Sequence, residues 1–169
     1  MNEVEITLEQ LLESRENRWL QQMSYIKDYP KLTLVCLTVI MPGSVKRNSQ
    51  SLRIAKVAVE ALKSHFDATV SHFEERDLPT GFEAYLLTSM SLTEAKKTAC
   101  HIEDQHPLGR LFDIDVIDKT GNPLPRTAIG KLPRRCMLCD NEARHCMRNN
   151  SHSYEDLQLH IKKLVDNYV

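Results

Sequence analysis

The chain has 169 residues, a length that suits one domain with a substantial core rather than two full domains. Its 22 basic and 23 acidic side chains give a formal net charge of -1, which excludes the strong basic field of a general nucleic-acid binder. No apolar run approaches the roughly 20 residues of a membrane span, and the cysteines are unevenly spread. We therefore expect a cytoplasmic protein without a secretory disulfide framework.

Two elements are predicted before residue 41. Residues 7–10 have the pattern of a helix N-cap, and apolar residues follow at helical spacing; they are Leu8, Leu11, Leu12, Trp19, Met23 and Ile26. Residues 32–40 are nearly all apolar or β-branched, as in a strand that is buried on both faces. The sequence therefore predicts an amphipathic helix followed by a central strand.

The next segments alternate between helix and strand. Pro42 and Gly43 end the first strand, and a polar, basic connection leads into a second helix that carries Leu52, Ala55, Val59, Leu62 and Phe66. Two short strands are predicted at 69–74 and 83–90, and a third helix begins at the capping box of residues 91–94. A last strand is predicted from Arg110 to Ile117.

This order of elements predicts the fold class. From residue 32 to residue 117 it is strand, helix, strand, strand, helix, strand, which is typical of the split βαβ arrangement of ferredoxin-like folds. We expect one α+β domain over residues 1–169, with helices on one face of the sheet. Its parts are a core over 1–130, a Cys/His-rich segment over 131–152 and a closing helix over 153–169.

Two aspartates on the last predicted strand are candidate metal ligands. On a strand, Asp113 and Asp115 share one face, whereas Phe112, Ile114 and Val116 share the other. Two neighbouring carboxylates suit Mg²⁺, which takes one or two of them and completes its shell with water and phosphate oxygens. The alternative is an edge strand with two solvated aspartates.

The residues around this pair favour phosphate chemistry. Aspartate is disfavoured in strands, Gly109 allows close backbone approach, and Arg110 can pair with phosphate in a bidentate manner. Asp118 breaks the alternation, and we expect it to cap the following turn.

Further basic residues are candidate substrate ligands. Lys46 and Arg47 lie between the first strand and its helix, where free backbone N–H groups favour anions. Arg134 and Arg135 form a second candidate phosphate site, although they could equally pair with nearby acids. His106 could act as a base or contact substrate; a structural histidine is the alternative.

Four soft or borderline metal ligands fall within one short segment: Cys136, Cys139, Cys146 and His152. Their number and spacing predict a closed tetrahedral zinc site that would stabilise an otherwise loop-like segment. Buried free thiols are the alternative, and a redox role for Cys136 and Cys139 is a third.

Residues 106–116 and 132–139, followed by Cys146, Arg148 and His152, resemble the family of citrate lyase holo-acyl-carrier-protein synthases. The strand that ends at residues 42–43, with Lys46 after it, also fits. The resemblance covers most of the chain and is weakest in the first helix and over residues 69–90.

The resemblance implies an enzyme that joins 2′-(5-triphosphoribosyl)-3′-dephospho-CoA to a serine of the apo acyl carrier (gamma) subunit of citrate lyase. Diphosphate is released, as in nucleotidyl transfer. Asp113 and Asp115 would then hold Mg²⁺, and the phosphates would be bound by Arg110, Lys46, Arg134 and Arg135. Neither nucleic acid nor a membrane is implied as a partner.

Three alternatives stay open. Related nucleotidyltransferases have a Gly-Ser pair shortly before the acidic pair, whereas this chain has Gly109 and Arg110 there, so a polymerase-type nucleotidyltransferase fold is the second choice of fold. The analogous synthase for the malonate decarboxylase carrier is the nearest alternative function. A non-enzymatic, zinc-dependent interaction module, with both aspartates facing water, is another.

Overall fold

The computed structural model describes residues 3–168, so the domain limits predicted at residues 1 and 169 lie outside the described residues. The described part has five α-helices and four strands in one sheet; in chain order they are α1 (Leu8–Asp28), β1 (Thr33–Val39), α2 (Ser49–Phe66), β2 (Val70–Leu78), β3 (Gly81–Thr88), α3 (Leu92–Gln105), β4 (Phe112–Ile117), α4 (Ala143–Asn149) and α5 (Tyr154–Asn167). None of these helices is both long enough and apolar enough to span a membrane.

The protein has a mixed α/β fold. Its four strands form one sheet in the order β2-β3-β1-β4, and every neighbouring pair is antiparallel. The predicted succession of strands and helices is confirmed, with changes at the boundaries. Strand β2 is longer than predicted, β3 has the predicted length but begins two residues earlier, and a tight turn at residues 79–80 joins the two strands. The last strand begins at Phe112 because residues Gly109–Leu111 form a 3₁₀ turn.

Helices cover both faces of the sheet. One face packs against α2, α3 and α5 through a large apolar core that includes Leu37, Ile54, Leu86, Ile102, Ile114 and Ile161. The other face packs against α1 through a smaller cluster that contains Tyr25, Leu34, Cys36, Tyr85, Leu87 and Ile117. The prediction of helices on one face therefore holds for α2, α3 and α5 but is wrong for α1.

Helix α1 turns a polar face toward the sheet. Its buried residues are Ser14, Gln22 and Tyr25, whereas the exposed side chains include Leu8, Leu12, Trp19 and Leu20. The apolar periodicity therefore predicted the helix correctly. Of the predicted apolar residues, Leu11, Met23 and Ile26 are half-buried, whereas Leu8, Leu12 and Trp19 are exposed.

Candidate functional site

The acidic pair lies on the sheet face that α1 covers. Asp113 and Asp115 alternate with buried Phe112, Ile114 and Val116, so the predicted segregation of the two sets is confirmed. Each aspartate has cross-strand neighbours on β1 and β3, which gives two rows of residues across the sheet: Asp113–Thr38–Glu83 and Asp115–Cys36–Tyr85. The Thr38 hydroxyl donates to Asp113 Oδ2 at 3.4 Å.

The charge of Asp113 affects the protonation of Asp115. Burial, and after it the negative charge of Asp113, raise the pKa of Asp115 to about 6, while the charges of Lys96 and Arg18 oppose that rise. Two neighbouring carboxylates attract a cation, and a hard divalent ion with oxygen ligands suits this donor set.

Arg18 and Glu83 join the site from α1 and β3, and sequence reasoning missed both. Arg18 Nε donates to Glu83 Oε1 at 3.0 Å, and the Tyr85 hydroxyl donates to Glu83 Oε2 at 2.7 Å. Glu83 is only 4% exposed. A carboxylate this deeply buried requires a cation or several donors, and here it has both.

Lys46 lies at the same end of the sheet as Asp113, because the end of β1 pairs with the start of β4. Its ammonium donates to the Met41 carbonyl at 2.6 Å. Burial and the positive charge of Arg15 both lower the pKa of Lys46, which places Lys46 near the N-terminal half of α1.

Arg47, the neighbour of Lys46, is engaged elsewhere. Its Nε and Nη2 donate to the two carboxylate oxygens of Asp77, each at 2.7 Å. A bidentate pair of this kind occupies the geometry that Arg47 would use to bind phosphate.

The other predicted cations gather in a cleft of about 420 Å³, whose lining includes His106, Arg110, Arg126, Arg134 and Arg135 but not the acidic pair. Arg110 Nε donates to the Arg135 carbonyl at 3.0 Å. Burial and the charge of Arg134 lower the pKa of Arg110 to about 10. The structure thus brings four of the predicted substrate-site residues together, in a cleft separate from the face on which the aspartates lie.

Arg134 and Gly109 hold the walls of this cleft close to the start of β4. Arg134 donates to the carbonyls of Phe112, at 2.7 Å, and Gly109, at 3.0 Å. A Cβ on Gly109 would lie 2.3 Å from the Glu103 carbonyl oxygen, so the glycine is needed for close approach to the end of α3.

His106 has the contacts of a structural histidine. It ends α3 as the C-cap residue, and its Nδ1 accepts from the Leu108 N–H at 3.0 Å. Its ring lies 5.0 Å from that of Phe112 and 5.5 Å from that of Tyr168. Burial and the nearby His65 lower the pKa of His106, which favours its neutral form.

The Cys/His segment forms a compact cluster that could hold a metal ion. The ligand atoms of Cys136, Cys139, Cys146 and His152 all lie within 4.8 Å of one another, and the sulfurs of Cys139 and Cys146 are 3.4 Å apart. His152 Nε2 is buried and lacks a hydrogen-bond partner among the described residues. An orphaned nitrogen beside three thiols fits a soft or borderline metal.

Comparison with known proteins agrees with the resemblance seen in the motifs. Residues 6–168 match the family model described as apo-citrate lyase phosphoribosyl-dephospho-CoA transferase. The chain belongs to this family.

Members of the family match along nearly the whole chain. It is 34% identical over 167 residues to a probable apo-citrate lyase phosphoribosyl-dephospho-CoA transferase of Streptococcus pyogenes serotype M18, covering 96% of this chain and 87% of that protein. A protein of the same description from Vibrio cholerae serotype O1 is 35% identical over 170 residues, with 98% and 95% covered. Protein CitXG of Haemophilus influenzae is 34% identical over 166 residues, which are 96% of this chain but 36% of that protein.

Proposed function

We propose that this chain attaches the phosphoribosyl-dephospho-CoA group to the apo acyl carrier subunit of citrate lyase. The observation that carries this proposal is the family match over residues 6–168. In the proposed reaction, a serine oxygen of the carrier attacks the phosphorus nearest the ribose of 2′-(5-triphosphoribosyl)-3′-dephospho-CoA. A new oxygen–phosphorus bond forms, the bond to diphosphate breaks, and the serine proton is released.

The acidic pair is the proposed reacting centre, with Asp113 and Asp115 as ligands of Mg²⁺. The ion, when bound, neutralises the negative charge of the phosphates and of the diphosphate that leaves. Support comes from the shared face of the two carboxylates and from the raised pKa of Asp115, which is due to burial and to the charge of Asp113. No serine or cysteine nucleophile is needed from this chain, since the carrier supplies it.

The predicted phosphate ligands divide into two groups. Lys46 lies at the sheet end that holds Asp113, and we assign it to the triphosphate. Arg135 has a side chain that is 69% exposed in the arginine-lined cleft, and we assign it to another phosphate of the donor. Arg110 and Arg134, whose guanidinium groups bind backbone carbonyls, shape that cleft.

We also propose that Cys136, Cys139, Cys146 and His152 bind one zinc ion. With four protein ligands the ion would have no open position, so its role would be to stabilise residues 136–152 rather than to take part in transfer. The buried, unpartnered nitrogen of His152 supports this assignment.

The sheet is the proposed split βαβ of a ferredoxin-like fold. The order β2-β3-β1-β4 supports this inference, because the connections through α2 and α3 each join two strands that are separated by a third.

The experiment that tests the proposed function is mass spectrometry of the apo carrier after incubation with the donor, Mg²⁺ and this protein. We expect a mass increase equal to the prosthetic group, with release of diphosphate. An unmodified citrate lyase carrier contradicts the proposal. In that event, modification of the apo carrier of malonate decarboxylase would support the alternative synthase, and modification of neither carrier would support the interaction module.

A further inference from the structure

Helix α1 packs against the sheet with polar side chains, which is unusual for a surface helix. A surface helix normally buries its apolar stripe, yet α1 places Ser14 and Gln22 against the sheet while Leu8 and Leu12 are exposed. Burying polar groups in place of leucine costs free energy. Departures of this kind are typical of functional sites, where a sequence sacrifices stability to place particular side chains.

Arg18 is the charged residue that this polar face directs toward the sheet. Its Nε binds Glu83, which the Tyr85 hydroxyl holds from the other side. The Arg18 side chain is 25% exposed, and within the described part of the chain its guanidinium donates a hydrogen bond only through Nε. One edge of the guanidinium is therefore fixed, while the other edge can bind a ligand.

The free edge of Arg18 lies close to the acidic pair. Glu83, its anchor, belongs to the cross-strand row that ends at Asp113. Asp115 lies two residues further along β4, on the same face as Asp113.

Two more cations flank Arg18 at this end of the sheet. Arg15 precedes it by about one helical turn and influences the pKa of Lys46, which burial also lowers. The Ser14 and Thr80 hydroxyls, 2.8 Å apart, connect this part of α1 to the turn between β2 and β3.

We propose that Arg18, together with Arg15 and Lys46, binds the triphosphate of the donor beside the acidic pair, and that Glu83 is a positioning residue for Arg18. This inference rests on the proposed function, because it names the residues of the same site that contact the donor. A guanidinium with one edge anchored presents its remaining N–H groups in a fixed geometry, which suits bidentate binding of phosphate oxygens.

A purely structural ion pair is the competing explanation for Arg18 and Glu83. It would connect α1 to the sheet, and its loss would change stability without changing donor affinity. The two explanations therefore differ in the Michaelis constant for the donor, measured at saturating carrier.

The test uses the full chain and the variants Arg18→Gln, Arg18→Lys and Glu83→Gln, with Lys27→Gln as the matched control. Lys27 is an exposed cation in the last turn of the same helix. We expect Arg18→Gln to raise the donor KM at least tenfold, with the carrier KM unchanged. Arg18→Lys keeps the charge but loses the planar guanidinium, so its donor affinity should lie between that of Arg18→Gln and that of the wild type. Glu83→Gln should raise the donor KM by a smaller factor, and Lys27→Gln should have no effect.

A folded Arg18→Gln protein with a donor KM within about twofold of wild type would overturn the inference. If Arg18→Gln does not fold, Arg18→Lys decides, and an unchanged donor KM in that variant would equally overturn it. Failure of the wild-type protein to modify the carrier is a different result, because it would refute the proposed function itself.

Discussion

The side chain of Glu103 on α3 accepts a hydrogen bond from the backbone N–H of Ile114 at 2.9 Å. Ile114 lies between Asp113 and Asp115 on β4, which is an edge strand. The bond therefore gives a partner to a backbone N–H that no neighbouring strand pairs with. Arg126 donates to the other carboxylate oxygen at 2.6 Å. One buried carboxylate thus anchors the strand that carries the candidate site.

Replacing this anchor should destabilise the fold. We expect Glu103→Ala to lower the free energy of unfolding by about 3 kcal/mol, because it leaves the Ile114 N–H without a partner and removes the more deeply buried of the two carboxylates that pair with Arg126. Urea unfolding followed by circular dichroism measures the change. The matched control is Glu75→Ala, whose exposed pair with Lys63 should contribute less than about 1 kcal/mol. Equal effects of the two substitutions would contradict the anchoring role.

The glycine before the acidic strand gives a second prediction. Gly109→Ala should cost about 3 kcal/mol, since the new Cβ would overlap the Glu103 and Ile102 carbonyl oxygens, which belong to the backbone of α3 and have little freedom to move. Gly130→Ala is the control: no atom lies within 4 Å of its Cβ position, and only the left-handed backbone opposes the change. It should cost about 1 kcal/mol. Thermal unfolding of both variants compares them, and a smaller loss at Gly109 would be inconsistent with the crowding.

The raised pKa of Asp115 predicts how stability depends on pH. Because the pKa in the folded protein is about 6, above the ordinary value of 3.8, the folded state binds this proton more tightly than the unfolded state. The stabilisation is therefore present when the carboxyl is protonated and is lost as the pH rises through about 6. In chelator at about pH 7.5, Asp115→Asn should be more stable than wild type by about 1 to 2 kcal/mol.

At about pH 5 this difference should shrink. Urea unfolding at both pH values measures it, and a difference that does not vary with pH would disprove the assignment. Added Mg²⁺ should stabilise the wild type more than Asp115→Asn, because the substitution removes one proposed ligand.

The Cys/His cluster predicts a metal content that can be measured directly. We expect about one zinc per chain by elemental mass spectrometry, and a lower unfolding temperature after chelation, since metal binding contributes to folding free energy. Cys139→Ser should abolish zinc binding. Cys100→Ala changes a buried thiol outside the cluster and should retain it. A zinc-free wild type purified without chelator would refute the site.

Features of the site that depend on local pattern could be predicted from the sequence. Alternation along one strand places Asp113 and Asp115 on the same face, and short spacing brings three cysteines and His152 together. Local turn chemistry also identified Asp118 as a cap, since its Oδ1 accepts from the N–H groups of Thr120 and Asn122.

The remaining features depend on contacts between distant parts of the chain. Arg18 and Glu83 are separated by 65 positions, and nothing local to either residue indicates that they meet. Helical periodicity predicted α1 but indicated its buried face only in part, because it assumes that leucines are buried and takes no account of polar residues such as Ser14 and Gln22. The predicted cations at 110, 134 and 135 form a cleft of their own, since Arg134 binds carbonyls at the start of β4.

The most direct test of the acidic pair as the reacting centre is the rate of carrier modification by Asp113→Asn, at saturating donor and Mg²⁺. We expect a loss of at least about a hundredfold, with the fold retained, because the variant lacks one of the two proposed metal ligands. Asp118→Asn makes the same chemical change in the neighbouring turn and should transfer at the wild-type rate. A folded Asp113→Asn protein that modifies the carrier as fast as Asp118→Asn would contradict the proposed role of the pair.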